Sequence, residues 1–112
     1  MTESEFLALT EVTMNAVELA LERASNQSDL DVECSRTGNV LEIEFINNGT
    51  KIIINSQAPL QELWVAAKSG GFHYKHDGAL WVNTRNGTEL FSSLSQMVSE
   101  QAGMDLVLNG TP

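Results

Sequence analysis

Residues 40–55 read VLEIEFINNGTKIIIN and decide the fold of this chain. From Val40 to Phe45 apolar and polar side chains alternate, which is the period of a half-buried strand. Asn48-Gly49 is a strong hairpin signal, and the apolar run of residues 51–55 follows it. The stretch therefore predicts two antiparallel strands, with Glu42 and Glu44 on a face that meets water.

Further short strands are predicted on both sides of this hairpin. Residues 31–35 alternate in the same way. Beyond Pro59, strands are predicted at 63–68, 72–76 and 80–83, and the first two of these are separated by a turn at Gly70-Gly71. Because the connections are short, neighbouring strands should pair antiparallel.

A helix is predicted at each end of the strand region. The first spans about Glu3 to Ala24, with Thr2 or Ser4 as its cap and an apolar stripe at helical spacing. The last is expected to be capped by Thr88 and to end at Gly103. Two amphipathic helices on one face of an antiparallel sheet of about six strands make an α+β two-layer sandwich.

The length of 112 residues fits a single domain spanning 1–112. An apolar tail, residues 104–108, is expected to cover the edge between the two helices. The N-terminal residues are acidic and lack the basic and apolar regions of a signal peptide. Cys34 is the single cysteine, which excludes an internal disulfide and fits a cytoplasmic location.

The negative charge is concentrated in the first third of the chain. The formal net charge is −9. Residues 1–33 hold eight acidic residues and one basic residue, a net −7, and the remaining residues hold seven acidic and five basic, a net −2. Such a surface repels nucleic acid and anionic membranes and attracts cations and basic protein surfaces.

The acidic residues of the first helix share one side of it. At about 100° per residue, Glu11, Glu18 and Glu22 lie within about 40° of one another, away from the apolar stripe. Asp31 and Glu33 share one face of the first strand. Carboxylate oxygens suit hard cations such as Fe²⁺, Mn²⁺, Mg²⁺ and Ca²⁺. The alternative is a hydrated face that keeps the protein soluble.

The strand period predicts the sheet face on which each aromatic and sulfur side chain lies. His73 and His76 should point to opposite faces and cannot share a metal ion. Trp64 is expected on the open face, either exposed for a partner or covered by its neighbours. Cys34 should face inward as an unreactive thiol.

Residues 55–64, NSQAPLQELW, followed by GGFHY at 70–74, resemble the central signature of the frataxin family. The opening residues 4–6, the segment 28–31 and Trp81 are similar to the bacterial branch. The resemblance covers the chain from Glu3 to about Gly103 and implies two helices on an antiparallel sheet.

The resemblance also implies a function in iron–sulfur cluster assembly. Family members bind iron, Fe²⁺ or Fe³⁺, weakly on an acidic surface where other divalent cations can substitute, and they contact the cysteine desulfurase and the cluster scaffold. We call the matching positions the acidic ridge: Glu11, Glu18, Glu22, Asp29, Asp31 and Glu33. Partner contacts are expected at Glu18 and Glu22 of the ridge and, on the sheet, at Asn55, Gln57, Trp64 and His73.

The favoured interpretation is therefore a regulator or adaptor that is not an enzyme, a monomer with iron-dependent oligomers. One alternative is an iron-handling enzyme with ferroxidase activity, although no Glu-x-x-His motif is present. Another is a purely electrostatic adaptor whose metal binding is incidental. An oxygen-consumption assay and separate titrations with Fe²⁺ and desulfurase would distinguish them.

Overall fold

Two helices flank a run of six strands in this computed structural model, which describes residues 1–110. The elements in chain order are α1 (Glu3–Gln27), β1 (Val32–Thr37), β2 (Val40–Phe45), β3 (Lys51–Gln57), a 3₁₀ turn (Ala58–Leu60), β4 (Glu62–Ala67), β5 (Gly70–His76), β6 (Trp81–Asn83) and α2 (Leu90–Ala102). The strands form one antiparallel sheet in the order β1-β2-β3-β4-β5-β6. The core joins side chains of both helices to one face of this sheet, so the predicted α+β sandwich is confirmed.

The helix ends follow the expected capping chemistry, with one correction. Thr2 and Glu5 form a reciprocal capping box at the start of α1. At α2 the cap is Glu89, and the prediction of Thr88 was wrong by one residue. The Glu89 carboxylate accepts hydrogen bonds from the backbone N–H groups of Phe91 (2.7 Å) and Ser92 (3.2 Å). A carboxylate at this position also interacts favourably with the positive end of the helix dipole.

The predicted turn at Gly70-Gly71 is wrong, because both glycines lie in β5. Ala67 pairs with Gly70, so the two-residue turn is Lys68-Ser69. The backbone N–H of Lys68 donates to the side chain of Gln101 at 3.0 Å. This bond from α2 holds a turn whose position the glycines alone did not reveal.

The C-terminal tail packs along α2, and its predicted position over the edge between the two helices stays a prediction. Leu108 is buried, and Met104 and Leu106 are partly buried against the core. The hydroxyl of Ser99 accepts from the Leu106 N–H at 2.9 Å, and that of Ser95 accepts from the Leu108 N–H at 2.8 Å. Alternate tail residues are therefore drawn onto the helix while Val107 stays exposed.

The sheet has one face toward the helices and one toward solvent. Trp81 lies on the helix side, and its Nε1 donates to Thr13 Oγ1 at 2.9 Å in the core. On β4, Leu63 and Val65 are buried, whereas Ala66 is exposed on the open face. Within residues 1–110, neither helix is both long enough and apolar enough to cross a membrane.

Candidate cation and docking surfaces

The acidic ridge lies along one edge of the molecule. β1 is the first strand of the sheet, and α1 packs beside it. The acidic residues of α1 therefore share this side of the molecule with β1, and Phe6 and Thr13 of the same helix contact Trp81 of β6. The side chain of Glu18 is half-buried, and the other five ridge residues are exposed.

One basic side chain, Arg36, crosses from β1 to the ridge. Its Nη2 donates to Glu11 Oε2 at 2.7 Å, and its Nη1 donates to Asn15 Oδ1 at 3.0 Å. Nη1 also lies 3.5 Å from Glu18 Oε1. Arg36 was not among the predicted site residues, although the strand period that turns Cys34 inward also turns Arg36 toward the helix.

The strand β1 divides the ridge into two sides. Val32, Cys34 and Arg36 face α1, so Glu33 points to the open face of the sheet. There Glu33 pairs in register with Glu44, which in turn pairs with Lys51 of β3. Within residues 1–110, no three His, Cys, Asp or Glu residues come close enough together to hold one metal ion.

Cys34 lies at the foot of an open groove between α1 and β1. Glu18, Glu22, Ser25 and Asn26 line the same groove. Burial, with a smaller contribution from the Glu18 charge, raises the pKa of the Cys34 thiol to about 11. The thiol is therefore protonated at neutral pH, as expected for an unreactive cysteine.

A second candidate surface is centred on Trp64 of β4. The indole stacks on the imidazole of His73 with ring centroids 4.4 Å apart and planes 7° from parallel. Trp64 Nε1 donates to Glu62 Oε1 at 2.9 Å. Trp64 is thus half-buried and fixed by its neighbours, an outcome between the two alternatives considered from the sequence.

A buried carboxylate supports this aromatic pair. The side chain of Glu62 is 12% exposed, and its carboxylate lies 3.5 Å from His73 Nδ1 and 4.0 Å from Lys75 Nζ. Glu62 was not among the predicted site residues, although its position two residues before Trp64 places both side chains on the same face. This polar anchor limits the orientations that Trp64 can adopt.

Asn55 and Gln57 extend the aromatic pair into a patch. Asn55 pairs with Trp64 across β3 and β4, and Trp64 pairs with His73 across β4 and β5. The side-chain amide of Gln57 donates to Asn55 Oδ1. We call Asn55, Gln57, Trp64 and His73 the sheet patch.

The remaining partner candidates, Glu18 and Glu22, lie on α1, across the sheet from this patch.

The second histidine, His76, packs edge-on against Trp81 with centroids 5.2 Å apart. It therefore faces the helix side while His73 faces solvent, as the spacing predicts.

Known proteins with similar sequences identify the family of this chain. A family model described as a frataxin-like domain matches residues 1–104. A protein of Herminiimonas arsenicoxydans named "Iron-sulfur cluster assembly protein CyaY" is 68% identical over 108 residues, which is 96% of each chain. The protein of the same name from Cupriavidus necator is 59% identical, again over 96% of each chain.

Solved structures extend the likeness to the fold. Frataxin from Psychromonas ingrahamii has a TM-score of 0.76 and 30% identity, with 100% of both chains covered. Trimeric frataxin from the yeast Saccharomyces cerevisiae, complexed with ferrous iron, has a TM-score of 0.70 and 25% identity over 84% of this chain and 85% of its own. The chain belongs to the frataxin family, in its bacterial CyaY branch.

Proposed function

We propose that this chain is a cytoplasmic, non-enzymatic regulator or adaptor of iron–sulfur cluster assembly. It binds iron weakly on the acidic ridge and docks on the cysteine desulfurase. The observation that carries the proposal is that α1, which bears Glu11, Glu18 and Glu22, packs beside the edge strand β1, which bears Glu33. The names of the CyaY relatives and the yeast frataxin complex with ferrous iron support the same function.

Weak iron binding follows from the arrangement of the carboxylates. Glu22, Asp31 and Glu33 are exposed, and the ion pairs within residues 1–110 do not include them. A cation at such a site keeps most of its bound water, since few protein ligands converge and no neighbouring groups orient them. Mn²⁺ and Co²⁺ are expected to occupy the same positions, and to broaden NMR signals of α1 and β1 while leaving those of α2 unchanged.

Docking on the desulfurase is expected to be electrostatic. A basic partner surface would relieve the repulsion among the ridge carboxylates and accelerate association. Screening by salt acts beyond about 8–10 Å at 0.1–0.15 M ionic strength, so the affinity should fall as salt rises. The sheet patch offers a separate contact, for the desulfurase or the scaffold, which depends on packing around Trp64.

The test compares two charge-reversal pairs with equal changes in net charge. Glu22→Lys with Asp31→Lys alters the ridge. Glu100→Lys with Asp105→Lys alters two exposed positions, one in the last turn of α2 and one in the tail that follows it. The ridge pair should weaken desulfurase binding about tenfold at low salt, and less at high salt, while the control pair has a smaller effect. Equal affinities for the ridge pair and the wild type would refute the docking assignment.

A functional assay completes the test. Cluster formation on the scaffold is followed with purified desulfurase across a range of Fe²⁺ concentrations, with and without this protein. The rate should depend on both the protein and iron, and the ridge pair should abolish the effect. An unchanged rate at every iron concentration would refute the proposed function.

A further inference from the structure

The Arg36 guanidinium occupies the N-terminal half of the acidic ridge. It contacts three side chains of α1 at 2.7, 3.0 and 3.5 Å, which belong to Glu11, Asn15 and Glu18. These residues recur at i, i+4 and i+7 and so share one face of the helix. Glu22 continues this face but is absent from the ion pairs of residues 1–110.

We infer that Arg36 is an internal competitor for the cations and basic partners that the acidic ridge attracts. This inference rests on the function proposed above and adds its regulation. While Arg36 is seated, its single positive charge offsets part of the negative charge of Glu11 and Glu18. A cation near Glu18 is repelled by the guanidinium. Cations are therefore directed to Glu22 and the residues beyond it.

A competing cation can displace the Arg36 guanidinium from the acidic residues of α1. The side chain of Arg36 is 22% exposed and that of Glu11 is 63% exposed, so water reaches the pair. Within residues 1–110, Arg36 Nε is buried without a hydrogen-bond partner. Leaving a donor unpaired is costly, which reduces the net stability that the seated guanidinium contributes.

Removing the Arg36 charge should tighten metal binding at the ridge. A divalent ion about 6 Å from the guanidinium is repelled by an amount that corresponds to about a tenfold change in affinity, even at the dielectric constant of water. In Arg36→Gln, the affinity for Mn²⁺ should rise about tenfold, and paramagnetic broadening should extend to the amides of residues 11–18. Arg36→Lys keeps the charge and should stay close to the wild type.

The matched control is Arg85→Gln. Arg85 is exposed and follows β6, the strand at the opposite edge of the sheet, so this variant changes the net charge equally but away from the ridge. Mn²⁺ affinity is measured by titration calorimetry and NMR, with thermal melting as the check on folding. A rise in Arg36→Gln that Arg85→Gln does not share would support the inference.

Two results would overturn it. Equal Mn²⁺ affinities in Arg36→Gln and the wild type, with broadening still centred on α1 and β1, would refute competition by Arg36 but leave the proposed function standing. Absence of ridge broadening in both proteins would refute both proposals.

If Arg36→Gln does not fold, the wild type alone decides the question. Mn²⁺ should broaden the amides of residues 22–33 more strongly than those of residues 11–18, which lie against the Arg36 guanidinium. Equal broadening of both groups would refute competition by Arg36.

Discussion

Because Leu108 is buried, we expect the C-terminal tail to contribute to the stability of the folded protein. Leu108 is 4% exposed, whereas its neighbour Val107 is 85% exposed. Replacing a buried leucine by alanine costs about 2–5 kcal/mol, and a tail that can partly collapse into the space should lie near the lower value. We therefore expect Leu108→Ala to lower the free energy of unfolding by about 2 kcal/mol.

The assay is thermal and urea unfolding followed by circular dichroism. At about 4 °C per kcal/mol for a domain of this size, Leu108→Ala should lower Tm by about 8 °C, and the urea midpoint should fall with an unchanged slope. Val107→Ala should change the stability by less than about 0.5 kcal/mol, because its side chain is already in water. If both variants melt like the wild type, the tail is not docked on α2 in solution.

Three further predictions concern single side chains. Cys34, with its pKa raised to about 11, should react with iodoacetamide at pH 8 about 100-fold more slowly than a free thiol of ordinary pKa. A rapid reaction at pH 8 would contradict the raised pKa. The raised pKa also predicts that the free energy of unfolding falls as the pH rises from about 9 toward 11, because the thiol ionises more readily in the unfolded chain. Thr13→Val should lower the free energy of unfolding by about 1–3 kcal/mol, because it leaves the indole N–H of Trp81 unpaired. Thr10→Val should lower it less, because the Thr10 hydroxyl donates only within its own helix. Equal melting temperatures for the two variants would refute this role of Thr13. Trp64→Ala should weaken partner binding with little change in its salt dependence, and a shallower salt dependence would assign Trp64 to the electrostatic contact instead.

Local patterns were sufficient for the architecture. The alternation of residues 40–45 predicts β2 with its observed bounds, and the strand period places Leu63 and Val65 inside. The capping box at Thr2 and the C-terminal Gly103 mark helix ends because backbone groups at those ends need nearby partners. Such signals succeed because each depends on residues close together in the chain.

Two predictions were wrong, the turn at Gly70-Gly71 and the cap at Thr88. The first depended on a residue distant in the chain, and the second on two adjacent residues that can both act as the cap. The turn at Lys68-Ser69 is held by Gln101, a residue 33 positions away, and this partner is not visible in the local sequence. At α2, Thr88 and Glu89 can both accept from helix N–H groups. In the structure Glu89 also forms an isolated bridge with Val82 of β6, a contact that the local sequence does not show.

The sequence by itself determined the α+β sandwich, the acidic N-terminal third and the face on which Trp64 lies. These follow from residue periodicity and composition, which are properties of neighbours along the chain. Only the tertiary structure decided which charged groups meet. Arg36 contacts Glu11, 25 residues away in the chain, and the largely buried Glu62 carboxylate of β4 lies beside His73 and Lys75 of β5. Coulomb and hydrogen-bond energies depend on separations of a few ångström in space, and such separations between distant residues are set by packing.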